Sequence, residues 1–169
     1  GAGGGIFLWE CSSNITIKNC SFFSNTSSFE EKLAENESTR DHSGSCIYSY
    51  NDENLAYPSF TLSDCLFKNN KGESIIFCGN RSIDMSREKI EKETNFTGSN
   101  LDFINNEGGS LTIKAEQLNL NSCRFLNNSD ATGKLISATY HQDSVNSDSI
   151  IGYRYDSGNN FVYLQECYF

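Results

Sequence analysis

The sequence predicts an all-β fold: a right-handed parallel β-helix, or solenoid, of about five rungs of three short strands each, with long loop insertions. Three observations predict it. Two short motifs alternate along the chain, apolar and polar residues alternate around each motif, and the composition favours turns. Glycine, asparagine and serine are abundant, Pro58 is the single proline, and hydrophobic residues make up 37% of the chain. Such a composition is typical of many short strands joined by turns.

The first motif, Phe-x-x-Asn, closes each rung. It occurs in four complete copies, and Phe169 begins a fifth. Stacked phenylalanine rings would fill the interior, and each asparagine amide could hydrogen-bond to the same amide in the next rung. Asparagine also tolerates the left-handed conformation that a closing turn requires. The motif therefore predicts two structural ladders, one of Phe22, Phe67, Phe103 and Phe125 and one of Asn25, Asn70, Asn106 and Asn128.

Apolar columns precede each phenylalanine at fixed distances. Seven residues before it stand Ile15, Phe60, Phe96, Leu118 and Val162; five before it stand Ile17, Leu62, Gly98, Leu120 and Leu164. Two before it stand Cys20, Cys65, Leu101, Cys123 and Cys167. Alternation, a two-residue break and a second alternation predict two short strands with a corner between them, stacked about 4.8 Å apart from rung to rung.

The second motif begins with glycine and enters a short apolar run. Three residues after the first glycine stand Ile6, Ile47, Ile75, Leu111 and Ile136. This run predicts the third strand of each rung, entered through a turn where glycine permits positive φ. The whole chain, 1–169, is then one segment with rungs at about 1–25, 44–70, 72–106, 108–128 and 133–169. Polar insertions, at 26–43, 79–94 and 140–160, are expected to leave the stack as surface loops.

Net charge excludes some partners. The formal charge is −9, which would repel a phosphate backbone, so we expect no nucleic acid partner. No apolar run is long enough for a spanning helix, and residues 1–10 do not resemble a signal peptide. We expect a segment of a longer protein, held at a membrane only through parts outside this chain. Seven Asn-x-Ser/Thr sequences are weak support for an exported glycoprotein: Asn14, Asn19, Asn25, Asn36, Asn80, Asn95 and Asn127.

The pairing of a Gly-Gly-x-Ile motif with a later Phe-x-x-Asn resembles the repeats of the chlamydial polymorphic membrane proteins, and similar repeats occur in surface proteins of some protists. The glycine pair is complete at Gly4-Gly5 and Gly108-Gly109 and has decayed to Gly-x-x-Ile elsewhere. The resemblance covers essentially the whole chain. It implies a β-helix displayed outside a cell, as in adhesins, with neighbouring rungs of a longer parent chain at its ends. It brings no catalytic residue and no cofactor.

The cysteine column of Cys20, Cys65, Cys123 and Cys167 has two interpretations. Buried cysteine is a small hydrophobic residue, and this interpretation is favoured. Adjacent rungs could instead form disulfides, Cys20 with Cys65 or Cys123 with Cys167, although in-register side chains fit the required dihedral angle poorly. No metal site is predicted, because the chain has no Cys-x-x-Cys pair and neither His42 nor His141 falls in a column.

The outward face of the glycine-led strand carries the candidate binding site. Alternation predicts that Phe7, Trp9, Tyr48 and Tyr50 point away from the core, with Ile76 and Cys78 beside them in the third rung. Such an aromatic face could stack on sugar rings or bind a protein. The alternative is that the insertion 26–43, or a neighbouring domain, covers it.

An enzyme is the second alternative. Polysaccharide-cleaving β-helices of the pectate lyase kind need carboxylates on the same face of neighbouring rungs. Asp64 and Asp102 occupy different positions of the repeat, and Arg124 stands beside Asp102 as a surface ion pair. We therefore predict a non-catalytic, extracellular or cell-surface segment: an adhesin-like or ligand-presenting stalk whose partner is a cell-surface protein or glycan. A purely structural spacer is the third possibility.

Overall fold

The computed structural model describes residues 5–9, 11, 13–27, 44–51, 59–80, 95–113, 117–129, 135–138, 151–153 and 161–169. Within these residues the chain forms thirteen β-strands and no helix. The strands are β1 Ile6–Trp9, β2 Ile15–Lys18, β3 Ser21–Phe23, β4 Gly44–Asn51, β5 Phe60–Lys68, β6 Lys71–Asn80, β7 Asn95–Ile104, β8 Glu107–Ile113, β9 Gln117–Asn121, β10 Arg124–Leu126, β11 Ile136–Ala138, β12 Ile151–Tyr153 and β13 Phe161–Gln165.

The strands form two parallel sheets. A six-stranded sheet has the order β1-β4-β6-β8-β11-β12. A seven-stranded sheet has the order β13-β9-β7-β5-β2, with β10 paired to β7 and β3 paired to β5. From β4 to β9 the chain alternates between the two sheets, so each repeat contributes one segment to each sheet.

The predicted right-handed parallel β-helix is wrong, because the described strands form two parallel sheets and not a solenoid with three strands per rung. The error lies at the predicted corner between the two strands that precede each phenylalanine. In β5 and β7 a single residue, Asp64 or Asn100, adopts a left-handed conformation inside one continuous strand. The backbone bends there without leaving its sheet, so two predicted strands belong to the same sheet.

The register of the seven-stranded sheet agrees with the apolar columns in the sequence. Phe60 pairs with Ile15 on one side and with Phe96 on the other. Leu118 pairs with Phe96 and with Val162. Because parallel strands in register place identical positions next to one another, the apolar residue of each repeat stacks on its counterpart. Along β5 the buried positions are Phe60, Leu62, Cys65 and Phe67.

The phenylalanines of the motif form one continuous stack. Ring centroids are 4.9 Å apart between Phe22 and Phe67, 4.7 Å between Phe67 and Phe103, and 4.9 Å between Phe103 and Phe125. Phe169 continues the stack 5.0 Å from Phe125. The interplanar angles do not exceed 8°. The stack extends perpendicular to the strands at roughly the spacing of neighbouring strands, about 4.8 Å, so the sheet itself sets the ring separation.

The asparagines of the motif form a hydrogen-bonded ladder beside that stack. The Asn70 Oδ1 accepts the backbone N–H of Asn25 at 2.9 Å and its Nδ2–H at 3.0 Å. The Asn70 Nδ2 donates to the Phe22 carbonyl at 3.0 Å and to the Asn106 Oδ1 at 3.0 Å. The same pattern links Asn106 with Asn128. Asn70 and Asn106 are almost completely buried, each with 1% exposure, so the ladder satisfies amides that water does not reach.

The left-handed conformation belongs to the residue before each ladder asparagine. Ser24, Asn69, Asn105 and Asn127 have φ between 51° and 57°. A second left-handed column precedes the cysteine column, at Asn19, Asp64, Asn100, Ser122 and Glu166. The prediction that the ladder asparagines themselves adopt this conformation is therefore wrong. The ladder asparagines are retained for their hydrogen bonds, and the preceding residue supplies the turn.

Glycine is needed in the glycine-led motif mainly because a larger side chain would not fit, and less often because of a positive φ. Among the described glycines only Gly108 has a positive φ, of 118°. A Cβ atom on Gly5 would lie 2.7 Å from the Cys46 carbonyl oxygen, and one on Gly72 would lie 2.3 Å from the Ser27 Oγ. These glycines let neighbouring chain segments approach one another where the strand of the six-stranded sheet begins.

The predicted insertions fall largely outside the described residues. The first residues of the insertions predicted at 26–43 and 79–94 do not leave the sheets, since Thr26 bridges to Lys71 and β6 includes Gly79 and Asn80. The remainder of these two insertions, 28–43 and 81–94, lies outside the described residues. One part of the third insertion is different, because β12 lies within 140–160 and pairs with β11 through Ile136 and Ile151. A short apolar pair, Ile150-Ile151, was the signal for this strand in the sequence.

Gly98 and Leu101 exchange volume between two adjacent core columns. Gly98 stands where the other repeats have Ile17, Leu62, Leu120 and Leu164, and Leu101 stands where they have cysteine. A Cβ atom on Gly98 would lie 2.7 Å from the Leu101 Cδ1 and 2.8 Å from the Leu120 Cδ2. The side chain of Leu101 therefore fills the space that a leucine at 98 would occupy.

Removing one internal carboxamide should destabilise the fold strongly. In Asn70→Ala, the amides of Asn25 and the carbonyl of Phe22 lose buried partners, so we expect the free energy of unfolding to fall by roughly 3 kcal/mol. The same change at the half-buried first position of the ladder, Asn25→Ala, should cost about half as much, since the Asn70 Oδ1 keeps the backbone N–H of residue 25 as a donor. Urea unfolding measures both; equal losses would contradict the ladder's role.

The volume exchange predicts a coupled double mutant. Gly98→Leu alone should overpack the core and Leu101→Cys alone should leave a cavity, each costing about 1–3 kcal/mol. The double variant Gly98→Leu/Leu101→Cys reproduces the Leu62 and Cys65 arrangement of the neighbouring repeat. We expect it to lie within about 1 kcal/mol of the parent protein, measured by a double-mutant cycle in urea. Additive losses would show that the two positions do not share space.

Candidate interaction surface

An aromatic stack crosses three neighbouring strands of the six-stranded sheet. Phe7 of β1 stacks on Tyr48 of β4, with ring centroids 5.6 Å apart and an interplanar angle of 3°. Tyr48 stacks on Phe77 of β6 at 5.1 Å and 16°. The three residues are in register, since Phe7 pairs with Tyr48 and Tyr48 pairs with Phe77. None of the three rings belongs to the main hydrophobic core cluster, so the stack is a separate feature.

Exposure changes sharply along this stack. Phe7 is 51% exposed, whereas Tyr48 is 5% exposed and Phe77 is 2% exposed. For Tyr48 the structure therefore favours the alternative in which other parts of the protein cover the predicted face. Phe7 alone of the three presents a large part of its ring to solvent.

Trp9 and Tyr50 complete the predicted face at the level of the backbone. They are paired with one another in the parallel register of β1 and β4, two residues beyond Phe7 and Tyr48. The alternation of a strand places residues i and i+2 on the same side of a sheet. The side chains of Trp9 and Tyr50 lie outside the described part of the structure.

Ile76 and Cys78 do not belong to this face, contrary to the prediction. Both side chains lie in the hydrophobic core cluster, and Phe77 takes the outward place. The cause is a register irregularity on entering β6, after which Ile76, and not Ile75, pairs with Ile47. Two consecutive isoleucines made the phase of this strand ambiguous in the sequence.

The cysteine column consists of thiols and not of disulfides. Cys20, Cys65, Cys123 and Cys167 are all free; Cys65 and Cys123 are buried, whereas Cys20 and Cys167 are partly buried. Each thiol donates to the carbonyl two residues earlier: Cys65 to Ser63 at 3.1 Å, and Cys123 to Asn121 at 3.4 Å. The column therefore behaves as a set of small apolar side chains with weak S–H donors.

Burial suppresses the reactivity of the interior thiols. Desolvation raises the pKa of Cys46 to about 12, opposed by hydrogen bonds from Ser45 and Asn25. Desolvation also raises the pKa of Cys123 to about 11 and raises the pKa of Cys65 and Cys78. Because the thiolate is the nucleophile, these four cysteines should react more slowly in the folded protein than an ordinary exposed thiol.

A second exposed apolar surface, on the seven-stranded sheet, was not predicted from the sequence. The outer side of the seven-stranded sheet, just after each stacked phenylalanine, carries Phe23, Ile104 and Leu126 in one register column with Lys68. Phe23 is 54% exposed and Leu126 is 38% exposed. The signal was the residue that follows each phenylalanine of the motif, which is apolar in three of four complete copies.

Several charged groups of the described residues form separate pairs. Arg124 forms a two-pronged ion pair with Asp102, one bond of which, from Nε to Oδ1, measures 2.6 Å. Asp64 accepts from the Asn100 side chain at 3.0 Å, and Lys71 pairs with Glu107 at 2.6 Å. In the part of the chain that the structure describes, no three His, Cys, Asp or Glu side chains are grouped to hold a metal ion.

Comparison with known proteins shows no matching family model, no matching curated protein and no matching solved structure. Across the described ranges, no helix is both long and apolar enough to cross a membrane. The resemblance to the chlamydial repeats therefore stays a prediction from the motifs alone.

Thiol accessibility should follow the order of burial. In folded protein at pH 8 we expect iodoacetamide to modify Cys20 and Cys167 well before Cys46, Cys65, Cys78 and Cys123, because the latter are desolvated and protonated. Peptide mapping by mass spectrometry measures the order. Uniform modification before unfolding would contradict the assigned burial.

The same pKa shifts give a sign for the pH dependence of stability. The pKa of Cys123 in the folded protein lies above its ordinary value of about 9. The protonated thiol therefore makes its full contribution to the free energy of unfolding below about pH 9. This contribution is lost as the pH rises toward 11, since thiolates form first in the unfolded chain. The urea midpoint should therefore fall between pH 8 and pH 10, and it should fall less in Cys123→Ala. An equal fall in the two proteins would show that Cys123 does not contribute to the pH dependence of stability.

Proposed function

We propose that the chain is a non-catalytic binding segment of an extracellular or cell-surface protein, adhesin-like in action, which presents an aromatic surface to a glycan or to a surface protein. The observation that carries the proposal is the half-exposed ring of Phe7, held on the Tyr48–Phe77 stack. A rigid, partly exposed aromatic ring offers a flat apolar contact at little cost in conformational entropy.

The position of Phe7 supports a binding role more than a spacer role. A spacer needs only the interior, where the phenylalanine stack and the asparagine ladder provide the rigidity. Phe7 lies outside that core cluster, and burial does not explain why a large apolar ring stands there. The exposed half of the Phe7 ring offers a flat apolar contact surface to a sugar ring or to an apolar protein side chain.

The net charge of the chain limits the classes of binding partner. The net charge of −9 opposes association with nucleic acid or with an anionic membrane surface. A neutral glycan, or a basic or neutral protein surface, carries no such penalty. Among the described residues, Asp102 pairs with Arg124, Asp64 with Asn100, Glu107 with Lys71 and Glu166 with Ser122. Polysaccharide cleavage needs carboxylates converging on one bond, and these four described carboxylates have separate partners.

The aromatic surface predicts a selective loss of binding. In Phe7→Ala we expect binding to a glycan array and to whole cells to weaken at least tenfold, because the exposed ring of the stack is removed. Phe23→Ala is the matched control, since Phe23 has similar exposure but lies on the other sheet. Circular dichroism should show that both variants keep the parent fold.

Three results are distinguishable. Loss of binding in Phe7→Ala alone supports the proposal. Loss in Phe23→Ala alone moves the site to the outer column of the seven-stranded sheet and refutes the aromatic surface. Absence of saturable binding by the folded parent protein leaves the spacer as the better account.

A further inference from the structure

Five of the seven Asn-x-Ser/Thr sequences have described side chains, and they differ in structural setting. Asn19 and Asn127 occupy the two left-handed columns, with φ of 54° and 51°, and both side chains are exposed. Asn25 is a member of the asparagine ladder. Asn95 has its carboxamide oxygen fully buried. Asn14 stands just before β2 and accepts the Ser59 N–H at 3.2 Å.

We propose that Asn19 and Asn127 are acceptor sites for N-linked glycans and that Asn25 is not, although all three carry the acceptor sequence. The inference rests on the proposed function in one respect: N-glycosylation requires that the chain is exported. The inference goes beyond the proposed function because it assigns a covalent modification to Asn19 and Asn127.

The hydrogen bonds of the Asn25 amide exclude this residue as a glycan acceptor in the folded protein. Transfer of an oligosaccharide from a lipid-linked diphosphate donor forms a bond between the anomeric carbon and the asparagine Nδ2. The anomeric carbon–oxygen bond breaks, the lipid diphosphate leaves with the electron pair, and the amide loses one proton. Both N–H directions of the Asn25 amide point at protein atoms, to the Asn70 Oδ1 at 3.0 Å and to the Cys46 Sγ at 3.8 Å. A glycan on this nitrogen would displace one of these contacts and prevent the ladder from closing.

Asn19 and Asn127 are used differently by the fold. At Asn19 and Asn127 the fold requires the left-handed backbone conformation and not the carboxamide. Serine, aspartate and glutamate adopt the same conformation in these two columns of other repeats, at Ser24, Asp64, Ser122 and Glu166. The backbone N–H of Asn19 donates to the Ser63 carbonyl at 3.1 Å, which leaves its side chain outside the sheet. The hydroxyl residues of the two acceptor sequences, Ser21 and Ser129, are exposed as well.

The test is site mapping on the intact chain secreted from eukaryotic cells. Release of glycans by peptide N-glycosidase in heavy-oxygen water converts each occupied asparagine to labelled aspartate, which mass spectrometry locates. We expect label at Asn19 and Asn127 and none at Asn25 in the folded, secreted protein. Label at Asn25, or absence of label at both corner asparagines, would overturn the assignment.

Three serine variants keep every asparagine in place while removing one acceptor sequence each. Ser21→Ala and Ser129→Ala should each remove one glycan from the secreted protein, whereas Ser27→Ala should leave the glycan pattern unchanged. Binding by unglycosylated protein from bacteria, compared with its Phe7→Ala variant, tests the proposed function separately. A chain that binds through Phe7 but carries no corner glycans refutes only the present inference, and the converse result refutes only the proposed function.

Discussion

The carboxamide ladder at Asn25, Asn70, Asn106 and Asn128 is the constraint on which the rest of the structure depends. An internal carboxamide such as that of Asn70 accepts two N–H groups from one neighbouring repeat, and it donates to that repeat's phenylalanine carbonyl and to the next asparagine. Aspartate lacks the donor, and glutamine is one methylene too long for the same geometry. Because a slip by one residue would break every bond of the ladder, the register of both sheets is tied to these four side chains.

Once the register is set, the interior follows from it. Phenylalanines meet phenylalanines at 4.7–5.0 Å, and the cysteine column fills the narrower space beside them. The interior tolerates change when neighbouring volumes compensate, as Gly98 and Leu101 show. The left-handed corners tolerate a wider choice of side chain than the ladder does. Variation is thus directed to the outer faces, where Phe7 and Phe23 stand exposed.

Much of this arrangement could be predicted from the sequence, because period and spacing report register directly. Alignment on the phenylalanine places Ile15, Phe60, Phe96, Leu118 and Val162 in one column, and the strand pairs agree. The fold class could not be predicted this way. A two-residue break in alternation is the same in the sequence whether the chain turns into a new sheet or bends within one strand, as it does at Asp64 and Asn100.

The candidate site was predictable only in part, for a related reason. Phe7 and Tyr48 were placed on the outward side by alternation and lie together there. Phe77 was missed because Ile75 and Ile76 are both apolar and a register irregularity precedes them. Tyr48 is 5% exposed, and periodicity does not report the exposure of an outward side chain. Exposure, and with it the choice of Phe7 over Tyr48, required the structure.

The most direct test of the ladder is amide hydrogen exchange at its own backbone N–H groups. The amides of Asn70 and Asn106 donate to the side-chain oxygens of Asn106 and Asn128, at 2.9 Å and 3.0 Å, and not to any strand partner. If the carboxamides hold the register, these two amides should exchange as slowly as the central residues of β5 and β7. Exchange at the rate of an unprotected peptide would show that the ladder is not formed in solution and would contradict the account.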